Sequence, residues 1–274
     1  MNKSKFAVSL CVFAALNSLG QMSFGQSLVN SEGYETFLYS EVSSIPINDA
    51  TKFEDAFGCF LETPTTTEGS AISDNGWAVT SEVKFANYTF VSFNGRIDVG
   101  TSGTCWKAEG NIAVFLNSDL QGVIYTNDPT NTSIGRLNLH EGGIIRLHTG
   151  EPTDLPVLDI QYASDQFTMS EVSEFTTYCE GRHLVPNVYE EDISEARHGL
   201  LQMGWKPNTS RRESDEIGFI AERMRQEGIT EVVGCSGTGM GYCRYEYNQN
   251  NAVLVVTSIE PRRVTHVSVR CSNN

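Results

Sequence analysis

The feature that most constrains this chain is its cysteine content beyond the first 27 residues: Cys59, Cys105, Cys179, Cys235, Cys243 and Cys271. The residues before them say why it matters. Lys3 and Lys5 make a short basic start, and Phe6 to Leu16 is apolar apart from Ser9. Small residues recur at Ser18, Gly20, Ser23, Gly25 and Ser27. That three-part layout predicts a secretory signal peptide over residues 1–27, with an apolar run too short to span a bilayer permanently. Cys11 lies inside the run after Leu10, which places it with the leader. An exported chain folds where disulfides persist. Six cysteines then predict three disulfides, among fifteen possible connectivities. Position suggests Cys59–Cys105, Cys179–Cys271 and Cys235–Cys243. In the loop-entropy model these contribute about 4, 4.5 and 2.5 kcal/mol respectively.

Charge narrows the partners. The formal net charge is -15, and it becomes -17 when Lys3 and Lys5 leave with the signal. Such a chain is repelled by nucleic acid and by anionic membrane surfaces. With 39% hydrophobic and 19% charged residues, the composition is that of a globular protein. No later segment is long and apolar enough to predict a second membrane anchor.

Two different patterns divide the chain near Tyr178. A capping box at Thr51 and Glu54 starts a predicted helix over Thr51–Leu61, and the Thr/Ser/Gly-rich stretch 62–76 is expected to be a loop. Trp77, Val79, Ser81, Val83 and Phe85 then alternate with other residues, the period of a half-buried strand. Asn94-Gly95 lies between two strand-like runs, and this pair suits a type I′ hairpin turn. Ile112, Val114 and Leu116 alternate again, with a turn expected over Asn117–Gly122. Arg136–His140 and Ile144–His148 flank Gly142-Gly143 as a second hairpin, and Val157–Tyr162 closes the set. This predicts a β-rich N-terminal domain over residues 28–178, an antiparallel sandwich or barrel.

Residues 179–274 predict an α+β module. Asp192 caps a helix whose apolar positions are Ile193, Ala196, Leu200 and Met203, ended by Gly204 and Pro207. Ser214 caps a second, through Ile217, Ile220, Ala221 and Met224 to Gly228. Strands follow at Thr230–Val233, Cys243–Tyr247, Ala252–Ile259 and Val264–Arg270. That order implies two helices on one face of a four-stranded antiparallel sheet. The order resembles the α-β modules of secreted β-lactamase inhibitor proteins and of outer-membrane assembly lipoproteins. The strings DISEARHGLLQMGWKP and EVVGCSGTGMGYC are similar to uncharacterised bacterial exported proteins. The similar uncharacterised proteins imply no activity; the resemblance to the inhibitor and assembly modules implies a sheet face presented to a partner, and the signal peptide predicts a bacterial periplasmic or extracellular location.

Several residue groups invite chemistry. Gly237, Gly239 and Gly241 suggest a phosphate cradle, but strand-like residues follow where a dinucleotide site needs a helix. Ser236 sits in a near-miss of the G-x-S-x-G elbow. Cys235 and Cys243 lack C-x-x-C spacing, so a disulfide-closed Gly-rich hairpin is the plainer expectation. Glu151, Asp154 and Asp159 cluster, and an Asp154/Asp159 pair could serve a hydrolase. His140, His148, His183, His198 and His266 have no metal-ligand spacing. His140 and His148 share a face only if their hairpin loop has three residues. No metal or cofactor is expected. Arg244, Tyr245, Arg262, Arg263, His266 and Arg270 gather on the last strands, rich in the residue types of interface hot spots. Tyr245 and Tyr247 share one face, with Arg244 and Glu246 on the other. The leading expectation is a non-enzymatic, disulfide-stapled protein that binds an unknown protein or envelope component. A secreted hydrolase using Ser236 or Asp154/Asp159, and a small-molecule carrier with its ligand inside an N-terminal barrel, are the alternatives.

Overall fold

Two central strands of twelve residues organise the first half of the chain. In the computed structural model, which describes residues 37–49, 59, 63–100, 104–127, 134–163, 166–210 and 218–272, these are β3 (Tyr88–Val99) and β4 (Cys105–Leu116). Flanking them are β1 (Phe37–Glu41), β2 (Ala78–Phe85) and β5 (Asp119–Thr126), in the order β1-β5-β4-β3-β2 with every pair antiparallel. Both faces of this sheet are covered, so β3 and β4 carry near-continuous apolar runs. Phe90, Ile112 and Val114 turn to one side; Val91, Phe93 and Ala113 turn to the other. A second antiparallel sheet packs on the first of these sides. It contains β6 (Arg136–His140), β7 (Ile144–His148), β8 (Pro156–Ala163) and β9 (Gln166–Ser170), in that order. Leu137, Leu147, Leu158 and Phe167 share its core with Phe90 and Val114. Edge-to-face contacts of Phe167 with Tyr88 and Phe90 fill the space between the sheets.

Downstream, the hairpin β10 (Phe175–Tyr178) and β11 (His183–Pro186) precedes α2 (Ile193–Gln202). Asp192 caps α2 by accepting from Ser194 N at 2.8 Å, and Gly204 beyond its end has φ 85°, as the sequence predicts. The second helix, α3 (Phe219–Gln226), ends at Gly228 with φ 93°. Both helices bury Ile193, Ala196, Leu200, Ala221 and Met224 against one face of the last sheet. That sheet holds β12 (Lys206–Pro207), β13 (Val232–Cys235), β14 (Cys243–Gln249), β15 (Ala252–Ile259) and β16 (Arg263–Cys271). Strands β14-β15-β16 form the meander; β12 and β13 both lie along β14. The expected four strands therefore gain a fifth, where Trp205 is buried and the chain runs briefly beside Tyr247 and Asn248. Strand β13 starts later than expected, because Ile229 N still bonds Met224 O in the turn leaving α3.

The three disulfides are Cys59–Cys105, Cys179–Cys271 and Cys235–Cys243, the pairing suggested by position. Bridged pairs of this kind are consistent with an oxidising, exported location. The expected leader and the Thr51–Leu61 helix lie outside the described residues, except Cys59; the expected Ser214 cap is corrected, since α3 starts at Phe219 with Gly218 as its N-cap. Among the described residues no helix is long and apolar enough to cross a membrane.

Three local expectations in the first half of the chain are corrected. The turn expected over Asn117–Gly122 shrinks to Asn117-Ser118, because β5 already starts at Asp119, paired with Leu116. Asn94-Gly95 is no turn: it lies inside β3, where Asn94 pairs with Gly110. Asn94 is fully buried and donates to Ile134 O at 2.9 Å, which ties the first sheet to the start of the second. The reversal comes earlier, at Ala86-Asn87, with Ala86 at φ 51°. Nor is 62–76 all loop. It contains α1 (Thr67–Asp74), because Thr66 caps it by accepting from Gly69 N at 2.9 Å and Ile72 anchors it on the sheet. Glu82 of β2 binds the Thr65 and Thr66 amides and fixes the helix start.

Candidate functional site

The arginine/tyrosine group expected on the last strands does not form one surface. Tyr245 is fully buried beneath the helices, with its hydroxyl donating to Pro261 O at 2.9 Å. Burial pushes that phenol up to about 12. Arg262 turns the other way, to the helix ends. It donates to Asp192 at 2.7 and 3.0 Å, to Ser194 Oγ, and to Glu227 at 3.0 Å. Arg263 lies 3.7 Å from both Glu190 and Glu260. His266 lies within electrostatic reach of Arg136 on β6 and of Asp154 in the loop between β7 and β8; burial first, then Arg136, holds its imidazole below the ordinary range. Only Arg244 and Arg270 stay together and open, 48% and 61% exposed, both bonded to Glu246. The face assignment therefore shrinks to this trio. The alternation that put Tyr245 and Arg244 on opposite sides holds, but no sequence signal showed that Arg262 closes a helix cap.

The hydrogen bonds of Arg262 hold the Asp192 carboxyl down to about 2. A carboxylate depressed in the folded state adds stability above its unfolded pKa, and that stability is lost as pH falls towards 2. Arg262→Ala should cost about 1 kcal/mol at neutral pH, the scale of a half-exposed pair with a cap attached. The difference from wild type should narrow between pH 4 and 2. Urea midpoints at pH 6 and pH 3 check both statements.

The carboxylates singled out as a catalytic pair are each taken by an arginine. Arg136 binds Asp154 with Nε at 2.8 Å from both oxygens. Arg146 binds Asp159 in a fork, at 2.7 and 2.9 Å, and both side chains are almost entirely buried. Asp159 also accepts from Ser173 N and Oγ, at 2.9 and 2.7 Å. Burial works to raise its carboxyl, but Arg146 and Ser173 outweigh it and hold Asp159 below the ordinary range. A carboxyl held ionised is no proton donor, the role a glycosidase acid needs. His140 and His148 do share a face, since Glu141–Gly143 is a three-residue connection. Burial pushes both imidazoles down to about 4. Ser236 is exposed, and its hydroxyl is bonded to Thr238 O at 2.9 Å. Among the described residues no group of three His, Cys, Asp or Glu is arranged around a metal.

What the sequence did not signal is a cleft on the outer face of the first sheet. After β1 the chain leaves the sheet edge and arches across the sheet over residues 42–49. Asn48 N bonds Asn75 O at 2.8 Å, and its amide donates to Gly76 O and Gly95 O at 3.1 and 3.2 Å. Trp77 Nε1 donates to Pro46 O at 2.7 Å. Gly95 allows this closeness: a Cβ there would lie 3.0 Å from the Trp77 ring. Beneath the arch is a cleft of about 280 Å³. Phe93, Asn111, Val123 and Tyr125 floor it, Trp77 stands edge-on to Phe93, and Ile45 and Pro46 form the arch side. No lining residue is charged, in a chain of net charge -15. The signal available in the sequence was faint: Ile45-Pro46 followed by Asn48, a polar residue able to bond three backbone groups at once. Comparison with protein-family models, with curated proteins and with solved structures finds no match for this chain.

Proposed function

We propose that this chain is an exported, non-enzymatic binding protein, with the cleft beneath residues 42–49 as its binding site for a small, neutral, largely apolar molecule. The observation that carries this reading is the cleft itself: preformed by hydrogen bonds, aromatic and uncharged, with Asn111, Ser40 and Ser44 able to orient a ligand. The groups that could do chemistry support it from the other side. Asp154, Asp159 and His148 are held as structural partners, and the Ser236 hydroxyl is held by Thr238. The carrier reading thus moves its ligand from a barrel interior to the outside of the first sheet, since the space between the sheets is filled by side chains. In this reading the frame has two parts, dividing near Tyr178. One set of core clusters draws on residues up to Met169, and another on Cys179 to Val267.

A neutral fluorescent probe, N-phenyl-1-naphthylamine, tests the site. Saturable one-to-one binding is expected for the wild-type protein. Val123→Trp fills the floor and should weaken it at least tenfold, about 1.4 kcal/mol. Binding that is absent, or unchanged by Val123→Trp, rejects the site.

A second reading rests on Arg244 and Arg270, which bracket Glu246 in the open. They suit an anionic group on a protein or envelope partner. Replacing both by Ala should leave probe binding intact while reducing recovery of any partner cross-linked at that face.

A further inference from the structure

We propose that His148 is the keystone of an acid-released latch: a solvent proton taken at its Nε2 breaks a closed ring of hydrogen bonds and loosens the loop 149–155. The ring has four members. Arg136 Nη1 donates to Asn138 Oδ1 at 2.7 Å. Asn138 Nδ2 donates to His148 Nε2 at 3.2 Å. His148 Nδ1 donates to the Asp154 carbonyl at 2.9 Å. Arg136 closes the ring on the Asp154 carboxylate. Each orientation follows from its neighbour. A guanidinium only donates, so Asn138 must turn its oxygen to Arg136 and its NH₂ to the histidine. A carbonyl only accepts, so His148 carries its proton on Nδ1. The one acceptor left on the imidazole is therefore Nε2, and it is already occupied by a donor.

Protonation adds a hydrogen to that lone pair and breaks no covalent bond. It sets N–H against N–H between His148 and Asn138. Turning the Asn138 amide over to accept the new proton would set its NH₂ against Arg136 instead. Neither arrangement keeps the ring. His148 is only 2% exposed, so the new cation also lacks water.

The surroundings add to this. Arg136 and His140 from β6, and Arg146 from β7, face the imidazole with positive or protonatable groups. His266 from β16 approaches Arg136 and Asp154, while Tyr178 stands edge-on to His140 and Tyr189 lies near Arg146 and Asp154. The Asp154 carboxylate, 3.9 Å from Nδ1, favours the cation, but burial outweighs it and both arginines oppose it. Asp159 is committed to Arg146. Opening the loop lets water reach the imidazolium and relieves the conflict. Within the loop, Thr149 N bonds Leu155 O at 2.8 Å, Leu155 N bonds the Thr149 hydroxyl at 3.1 Å and Asp154 N bonds Glu151 O at 2.9 Å, while Lys107 N of β4 bonds Gly150 O at 2.8 Å.

The experiment follows each histidine side chain by NMR from pH 7 to 4 in the intact, disulfide-bonded protein, and in parallel the exchange protection of the Thr149 and Leu155 amides. His148 should be the Nδ1–H tautomer at pH 7. Protection, corrected for intrinsic exchange, should fall roughly a hundredfold by pH 4, as expected for an imidazole that titrates near 6.5 when open and near 4 when closed. Asn138→Asp supplies an acceptor to both His148 Nε2–H and Arg136. In that variant His148 should titrate at higher pH and protection should persist at pH 4. Protection that is unchanged at pH 4 in wild type, lost while His148 stays neutral, or lost equally in Asn138→Asp, overturns the latch.

Discussion

Arg146→Met should lower the unfolding free energy by about 3–5 kcal/mol, one of the two largest effects expected of any change in this chain. The physical reason is what the substitution leaves behind. Asp159 is 0% exposed and would remain a buried carboxylate, keeping only its two bonds from Ser173. The Thr176 hydroxyl would lose its arginine partner at 2.8 Å as well. Because Arg146 lies on β7, Asp159 on β8 and Thr176 on β10, the damage reaches three strands. The pair itself is a different matter. Two buried charges lose hydration that their attraction only roughly offsets, so replacing both by apolar residues of similar size should recover most of the loss. Guanidinium unfolding of Arg146→Met, Asp159→Leu and the double variant, with disulfides intact, gives the coupling directly. A single variant costing under 1 kcal/mol would contradict the geometry described here.

Removing the Cys179–Cys271 bridge, by Ser at both positions, should cost about 4.5 kcal/mol in the loop-entropy model. The bridge spans 92 residues, against 46 for Cys59–Cys105 and 8 for Cys235–Cys243. The closure entropy grows with loop length, so the order of the three losses is itself a prediction: Cys179–Cys271, then Cys59–Cys105, then Cys235–Cys243. Cys179 is also buried in the core beside Val185 and Trp205, so a polar Ser there adds a small packing loss. Thermal and urea unfolding of the three double variants would measure the order. Equal losses would mean that native-state strain or residual unfolded structure, rather than chain entropy, sets the contribution of each bridge.

Local patterns carried most of the fold. Alternation located β2 and β4, helical spacing located α2 and most of α3, and cysteine position located the bridges. Long-range demands defeated the rest. Asn94-Gly95 has the chemistry of a turn, yet Asn94 is needed inside β3 to bond Ile134 O across to the second sheet. The helix over Thr67–Asp74 depends on Glu82, sixteen residues beyond its Thr66 cap. The site was harder still. Arginines close in sequence dispersed, because Arg262 ends the turn before β16 and Arg263 begins the strand, so the two meet different partners. The cleft needs residues from the arch, β3, β4 and β5 at once, and no local window contains them.

The short bridge has a consequence for how the chain survives cutting. Ser236 to Thr238 and Gly239 are exposed at the tip of the hairpin, between cysteines that sit directly opposite one another. A protease that severs a peptide bond there produces two new chain ends but no free fragment. Cys235–Cys243 already links the two sides of the cut, and Cys179–Cys271 encloses both in a wider ring. A single nick at this tip leaves every residue of the protein attached.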